Sequence, residues 1–166
     1  MPDINAVLRW LEATPLSEWI IGSDSFFAFP GIIALHAIGM AFAVGINTVV
    51  NLRVLGVAPA VPLAELRRFF PLLWAGFWVN AATGVLLLIG YPTKALTNPV
   101  FYLKLALIAA AMILFARVQR IGFAARPRTT IDDQRLRRLA AASLFCWSAA
   151  ITAGRLLAYT YTRLRA

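Results

Sequence analysis

Three side chains that could carry out chemistry stand inside strongly apolar sequence: His36, Lys104 and Arg155. An imidazole can ligate a metal ion or exchange a proton, and an ammonium or a guanidinium can hold an anionic group. Because it is costly to bury such groups in apolar surroundings, each of them needs a partner or a function.

The composition of the chain places these residues in a membrane. The 166 residues are 61% hydrophobic and 14% charged, which is more apolar than an ordinary soluble domain. Four stretches are long enough to cross a bilayer as helices, and they run approximately over residues 26–50, 70–90, 99–116 and 139–161. The predicted fold class is therefore all-α integral membrane, an up-and-down four-helix transmembrane bundle that forms a single membrane domain over residues 1–166.

The residues before the first span predict an N-terminal interfacial amphipathic helix. Within residues 3–22, one helical face is apolar and carries Ile4, Val7, Leu8 and Leu11. This pattern suits a helix that lies in the plane of the interface. Thr14 followed by Pro15 is typical of an N-cap and a first helical position, which predicts a second short helix. A lid that covers the end of the bundle explains the same pattern equally well.

The basic residues predict the topology. Of the 16 lysines and arginines, ten follow the first and third spans, and many of these lie in the polar connector "RIGFAARPRTTIDDQRLRR". The positive-inside rule makes both loops cytoplasmic and places both termini outside. The net charge of +9 therefore indicates the lipid bilayer as a partner, with anionic lipids at the cytoplasmic loops, and no nucleic acid. Small-residue helix faces also fit a homo-oligomer or a membrane-complex partner.

Depth sorts the polar residues into two layers. At about 1.5 Å per residue, His36 and Asn80 fall roughly 15 Å from the outer ends of their spans, near the midplane. Lys104 and Arg155 lie nearer the outer ends of theirs and share a level in the outer leaflet. The sequence thus predicts a pair of cations above a histidine and an asparagine.

The predicted cofactor-binding residues combine membrane depth with a polar side chain, and they are His36, Asn80, Lys104, Thr152, Arg155 and Tyr159. His36 is also the candidate metal ligand. Arg155 has three candidate partners: Asp24, a lipid phosphate, or the anion of a bound ligand. The structural alternatives are snorkelling of both cations to the headgroups and a hydrogen bond from the imidazole to a neighbouring helix, with Asn80 as its candidate partner.

Three segments resemble a known layout. "LHAIGMAFAVG", "NAATGVLLLIG" and "NPVFYLKLALI" are similar to parts of four-helix bacterial inner-membrane proteins of the copper-resistance D type and of the haem-containing protoporphyrinogen oxidases. The resemblance implies a bacterial inner-membrane location, haem b as a candidate cofactor, and His36 with Lys104 as the functional pair. The segment "AGRLLAY" of the last span resembles instead a family of uncharacterised bacterial four-span proteins.

The leading hypothesis is a small redox-linked membrane protein that binds haem, a porphyrin or a quinone. His36 would contact the ring, and Lys104 and Arg155 would hold an anionic group. Because a bis-histidine haem needs two imidazoles and the chain has one, haem would need another sixth ligand, five-coordination or a second subunit. The alternatives are a copper or small-solute transporter, with His36, Met40 and Asn80 along its path, and a non-catalytic accessory subunit. Whether the chain is an enzyme stays open.

Overall fold

The computed structural model describes residues 4–124 and 129–163. The secondary structure of these residues consists of helices joined by short connections, with no strand. In chain order the helices are α1 Ile4–Glu12, α2 Pro15–Gly22, α3 Phe29–Leu55, a 3₁₀ helix Leu63–Phe69, α4 Phe70–Gly90, α5 Pro92–Leu96, α6 Pro99–Gly122 and α7 Thr130–Arg163. Within these residues, four helical stretches are long and apolar enough to cross a membrane. The predicted all-α membrane bundle with four spans is confirmed.

Proline and small polar residues determine where the helices begin. A proline occupies the first turn of α2, α3, α4, α5 and α6, where its missing N–H is not needed. Thr14 caps α2 by accepting the Ser17 N–H at 3.3 Å, so the predicted N-cap is confirmed. Asn98 caps α6 in the same way and accepts the Val100 N–H at 2.9 Å.

Three helices extend beyond their predicted spans, whereas α4 keeps its predicted bounds. α3 continues to Leu55, past the predicted end at residue 50. α6 continues to Gly122 instead of ending near residue 116. α7 begins at Thr130, well ahead of residue 139. Part of the predicted polar connector is therefore helical, and residues 125–128 of it lie outside the described residues. Hydropathy marks where a helix is apolar, but a helix continues while its backbone bonds and side-chain packing favour it, and Leu136 is buried in this extension.

The four spans form two antiparallel pairs. α3 packs against α4, α6 packs against α7, and the two pairs meet mainly where α3 contacts α7. α1 and α2 lie against α4 and α5, at one end of the bundle. We call this the terminal end, and we call the opposite end, which carries Arg53, Arg67 and Arg68, the basic end.

The packing of α1 and α2 fits the predicted lid over the end of the bundle, and their interfacial position stays a prediction. Leu8 and Ile20 are buried, and Ile20 Cγ2 lies 2.9 Å from the position of a Cβ added to Gly90 at the end of α4. The other surface exposes Trp10 and Trp19. One face therefore covers the end of the bundle, and the exposed aromatic face has the chemistry of an interfacial helix.

The apolar core lies toward the basic end. Its buried residues come from the end of α3, the 3₁₀ helix, the start of α4, the second half of α6 and α7 up to its midpoint: Val50, Leu66, Leu73, Ala111, Met112, Phe115, Val118, Leu136, Ala140 and Trp147. The Phe70 ring closes this core, with its centroid 5.8 Å from that of Phe115 and 4.8 Å from that of Phe123. Both ring pairs are edge-to-face, a favourable aromatic geometry.

A buried polar cluster joins α3 to α7 beside this core. Asn51 Nδ2 donates to Asn47 Oδ1 at 2.6 Å, and Ser143 Oγ of α7 donates to the same oxygen at 3.3 Å. All three residues are fully buried. Hydrogen bonds between helices in membrane bundles are worth about 1 kcal/mol. The cluster therefore selects the faces along which the two pairs of spans meet.

The backbones of α3 and α4 approach closely at two glycines. A Cβ added to Gly39 would lie 2.7 Å from the Asn80 nitrogen and 2.7 Å from the Gly76 oxygen. Both contacts are backbone atoms of α4, so a side chain at residue 39 could be accommodated only if the helices moved apart. This contact is the small-residue type of packing that membrane helices use.

Replacing Gly39 by alanine should therefore destabilise the protein by about 1–3 kcal/mol, the usual cost of overpacking. Gly45→Ala is the matched control, because a Cβ at Gly45 meets nothing within 4 Å. Thermal unfolding of both variants in detergent, followed by tryptophan fluorescence, measures the difference. Equal melting temperatures for the two variants would contradict the close packing of α3 on α4.

Candidate functional site

His36 of α3 and Thr83 of α4 form the centre of the candidate site. The imidazole Nδ1 lies 3.1 Å from Thr83 Oγ1. The same hydroxyl lies 2.7 Å from the Val79 carbonyl, and it donates its single proton to that oxygen. Thr83 Oγ1 is then an acceptor toward the ring, so Nδ1 carries the proton and donates it. In the neutral ring, this assignment leaves Nε2 with a free lone pair.

The Nε2 atom is the part of the ring that can bind a metal ion or a proton. Among the described residues, none forms a hydrogen bond with Nε2 of His36. A neutral imidazole whose other nitrogen is held by a neighbouring group is the arrangement found in metal ligands. Gly84 lies under the ring, because a Cβ added there would be 3.3 Å from the His36 Cε1 atom. The ring is thus fixed against α4 and keeps one nitrogen available.

The side chain of Asn80 holds the backbone beside the ring. Asn80 Nδ2 donates to the His36 carbonyl at 2.7 Å. The predicted hydrogen bond between His36 and a neighbouring helix is therefore present, and the side-chain partner of the imidazole is Thr83, which is not among the predicted site residues. Thr83 follows Asn80 by one helical turn and shares its face of α4. That spacing is the signal in the sequence that identifies it.

Lys104 reaches the same region from α6. Its side chain crosses Gly154 of α7, where Nζ lies 3.7 Å from the position of an added Cβ. The ammonium is close enough to His36 to interact with the ring electrostatically. Within the described ranges, no carboxylate forms an ion pair with Lys104. The site thus combines a histidine, its threonine partner and a lysine without a described counter-ion.

His36 and Lys104 lie nearer to each other in depth than the sequence predicts. α3 begins at Phe29 and not near residue 26. His36 therefore lies about 10 Å from the start of its helix at the usual rise per residue. Lys104 lies about 8 Å from the start of α6 at Pro99 by the same measure. The two predicted layers therefore merge on this side of the bundle.

Three predicted residues of the last span lie on a different surface. Thr152, Arg155 and Tyr159 are exposed on α7, whereas Gly154 faces Lys104. The Thr152 hydroxyl donates to a carbonyl of its own helix at 2.9 Å. The structure does not bring these three side chains together with the imidazole, and their role as cofactor contacts stays a prediction.

The nearest acids do not neutralise Arg155. Neither Asp24 nor Glu18 is within ion-pair distance of its guanidinium in the part of the chain that the structure describes. Both acids are exposed residues near the terminal end. A lipid phosphate and the anion of a ligand therefore remain as the predicted partners of Arg155.

Two soft side chains lie in the apolar core and not at His36. In residues 4–124 and 129–163, no group of three or more histidine, cysteine, aspartate or glutamate residues could hold a metal ion. Met112 belongs to the apolar core, and the free Cys146 packs against the same core. His36 stays the predicted metal ligand.

Comparisons with protein-family models, with curated proteins and with solved structures found no match to this chain. The fold and the site together define a class, namely a multi-pass helical membrane protein with a histidine and a lysine near one end of its bundle. The resemblance to the copper-resistance D type and to the protoporphyrinogen oxidases stays a prediction.

The tautomer of His36 can be tested directly. His36 is the only histidine, so ¹⁵N-histidine labelling reports on this ring alone. At a pH where the ring is neutral, we expect a protonated Nδ1 and an unprotonated Nε2. Thr83→Val removes a hydrogen bond worth about 1 kcal/mol, which should lower the ratio of the two tautomers several-fold. Thr83→Ser is the control and should keep the wild-type spectrum; a Thr83→Val spectrum equal to wild type would show that Thr83 does not set the tautomer.

Proposed function

We propose that the chain is a redox-linked protein of a bacterial inner membrane that binds a flat ring cofactor at His36 and Lys104. The cofactor class is haem, another porphyrin or a quinone. The observation that carries the proposal is the Nε2 lone pair of His36 within electrostatic range of the Lys104 ammonium, which has no described carboxylate partner. Such a pair can bind a ligand with two kinds of group. One is a metal ion or a hydrogen-bond donor, which the Nε2 lone pair contacts, and the other is an oxygen that accepts a hydrogen bond from the ammonium.

The two side chains match both cofactor classes. If haem were bound, the imidazole of His36 would hold the iron, and the Lys104 ammonium would pair with a propionate. If a quinone were bound, Lys104 would donate a hydrogen bond to a carbonyl oxygen of the oxidised ring, and Nε2 of His36 would accept one from a hydroxyl of the reduced ring. Either cofactor, when bound, supplies electron transfer that protein side chains lack. Thr83 orients Nε2 in both cases.

The surroundings of the site also suit a flat ligand. Gly84 lies against the imidazole and Gly154 lies against Lys104, so the helix surfaces beside both functional groups lack side chains. The buried apolar cluster lies toward the opposite end of the bundle. The glycines let the imidazole and the lysine side chain lie close against the neighbouring helices, which holds both groups in place for a ligand.

The distribution of arginines supports the orientation in the membrane. Arg53, Arg67 and Arg68 mark the basic end, together with the arginines of α6 and α7 that lie beyond the apolar sequence. By the positive-inside rule, this end is cytoplasmic and the two termini are outside. The site at His36 then lies in the outer half of the membrane. A cofactor held there is suited to exchange electrons near the outer surface.

The proposal is tested by gentle purification of the protein from its native membrane. We expect either a Soret band or about one extractable quinone per chain, and His36→Ala should abolish whichever is found. Lys104→Met should lower cofactor occupancy about tenfold or more, because a hydrogen bond to a charged group is worth about 1.5–3 kcal/mol. Lys94→Gln, which removes an equal charge near the terminal end, is the control. Wild-type protein without a Soret band and without quinone would remove the proposal.

Stability measurements separate this function from that of an accessory subunit. If Lys104 only specified packing, Lys104→Met would weaken the bundle. Because the partly buried ammonium has no described counter-ion, we expect the opposite in cofactor-free protein, with Lys104→Met about 1 kcal/mol more stable than wild type. Unfolding in detergent measures the change, and Lys94→Gln again controls for net charge. A less stable Lys104→Met variant would favour the accessory-subunit function.

A further inference from the structure

A polar cavity of about 220 Å³ lies at the basic end, between the end of α3 and the first turns of α7. Arg53 and Arg137 lie in its wall with Asp133, and Leu63 and Leu136 add apolar surface. Drug-sized ligands usually occupy about 300–1,000 Å³, so the cavity suits a smaller group. It lies far from His36 along α3, and nothing in the proposed function uses it.

Arg53 is held in place and still has donors to offer. Its Nε donates to the Val61 carbonyl, and Nη2 donates to the Pro59 carbonyl at 3.0 Å. These bonds tie the guanidinium to the loop after α3. A guanidinium has five N–H groups in a fixed geometry, so most of its donors remain for a ligand. The result is a preorganised cation at the cavity wall.

Arg137 and Asp133 bring a second cation and an anion to the same cavity. They are one turn apart on α7 and both are exposed. Arg137 forms no ion pair with a carboxylate among the described residues. Two guanidinium groups can bind a phosphate through several N–H donors. A carboxylate has about four lone-pair positions, so Asp133 can accept hydrogen bonds from an ammonium in addition to its contacts within the protein. A simple anion has no such donor.

The position of the cavity points to a lipid as the source of the phosphate. Arg53 follows the apolar part of α3, and the helix ends at Leu55, so the guanidinium lies at the level where a bilayer changes from acyl chains to headgroups. Gly56 lines the cavity in a left-handed conformation with φ of 105°, and a Cβ added there would meet nothing within 4 Å. Glycine therefore leaves this part of the wall free of a side chain.

We infer that this cavity binds the headgroup of one phospholipid that carries an amine. The phosphate accepts hydrogen bonds from Arg53 and Arg137, the ammonium of the headgroup donates to Asp133, and an acyl chain continues along the adjacent apolar helix surface. The carboxylate distinguishes this ligand from phosphatidylglycerol and from free phosphate, which lack the positive group. The inference is independent of any cofactor at His36.

The test is native mass spectrometry of the full-length protein released from bilayers of equal parts phosphatidylethanolamine and phosphatidylglycerol. We expect one retained phosphatidylethanolamine per chain. Arg137→Gln should reduce its retention about tenfold, which corresponds to the loss of one charge-assisted contact. Arg138→Gln is the matched control, since the neighbouring arginine does not line the cavity. Equal losses in both variants would show general attraction to the basic end and overturn the site.

The headgroup assignment is tested with Asp133→Asn in the same bilayers. We expect this variant to lose the preference for phosphatidylethanolamine over phosphatidylglycerol. An unchanged preference, or no preference in the wild type, would overturn the assignment. A second experiment adds inorganic phosphate to the same sample. If phosphate displaces the lipid and is itself retained, the ligand is free phosphate and not a headgroup. Arg53 is left unchanged throughout, because its replacement would release the loop that it holds.

Discussion

The contact between the backbones of α3 and α4 is the constraint on which the site depends. Gly39 and Gly76 have no side chains, so the two helices approach until backbone atoms are in contact. At this separation Asn80 reaches the His36 carbonyl and Thr83 reaches the His36 ring. These hydrogen bonds tolerate little change in distance. The orientation of the imidazole is therefore a consequence of helix packing two turns or less away.

The sequence predicts the spans well because apolar length and helix-start residues are local properties. The number of spans, the bounds of α4 and the cap at Thr14 all follow from neighbouring residues. The partner of His36 does not, because it depends on how two helices rotate against each other. The same limit applies to the last span: adjacent residues on a helix point about 100° apart, so Gly154 faces Lys104 while Arg155 is exposed. Hydropathy predicts how deep a residue lies in the membrane, but it does not predict how a helix is rotated about its own axis.

The buried apolar core, which stabilises the bundle, and the polar candidate site at His36 lie in different parts of the bundle. The buried apolar cluster and the Asn47 cluster lie toward the basic end or the middle of the bundle. Near the terminal end, glycines and polar groups surround His36. A site with an uncompensated charge is a local cost in stability, and well-packed helices elsewhere offset it. This arrangement lets the polar region vary without loss of the fold.

The length of α7 has a consequence for whatever meets the basic end. Its 34 residues extend roughly 51 Å, whereas the hydrocarbon core of a bilayer is about 30 Å thick. The first turns of α7 therefore extend beyond the hydrocarbon core as an ordered helix, and they carry Arg135, Arg137 and Arg138. Fixing a flexible residue costs about 1–2 kcal/mol in conformational entropy. Binding to these arginines avoids most of that loss, so even a few weak contacts there can give a long-lived complex.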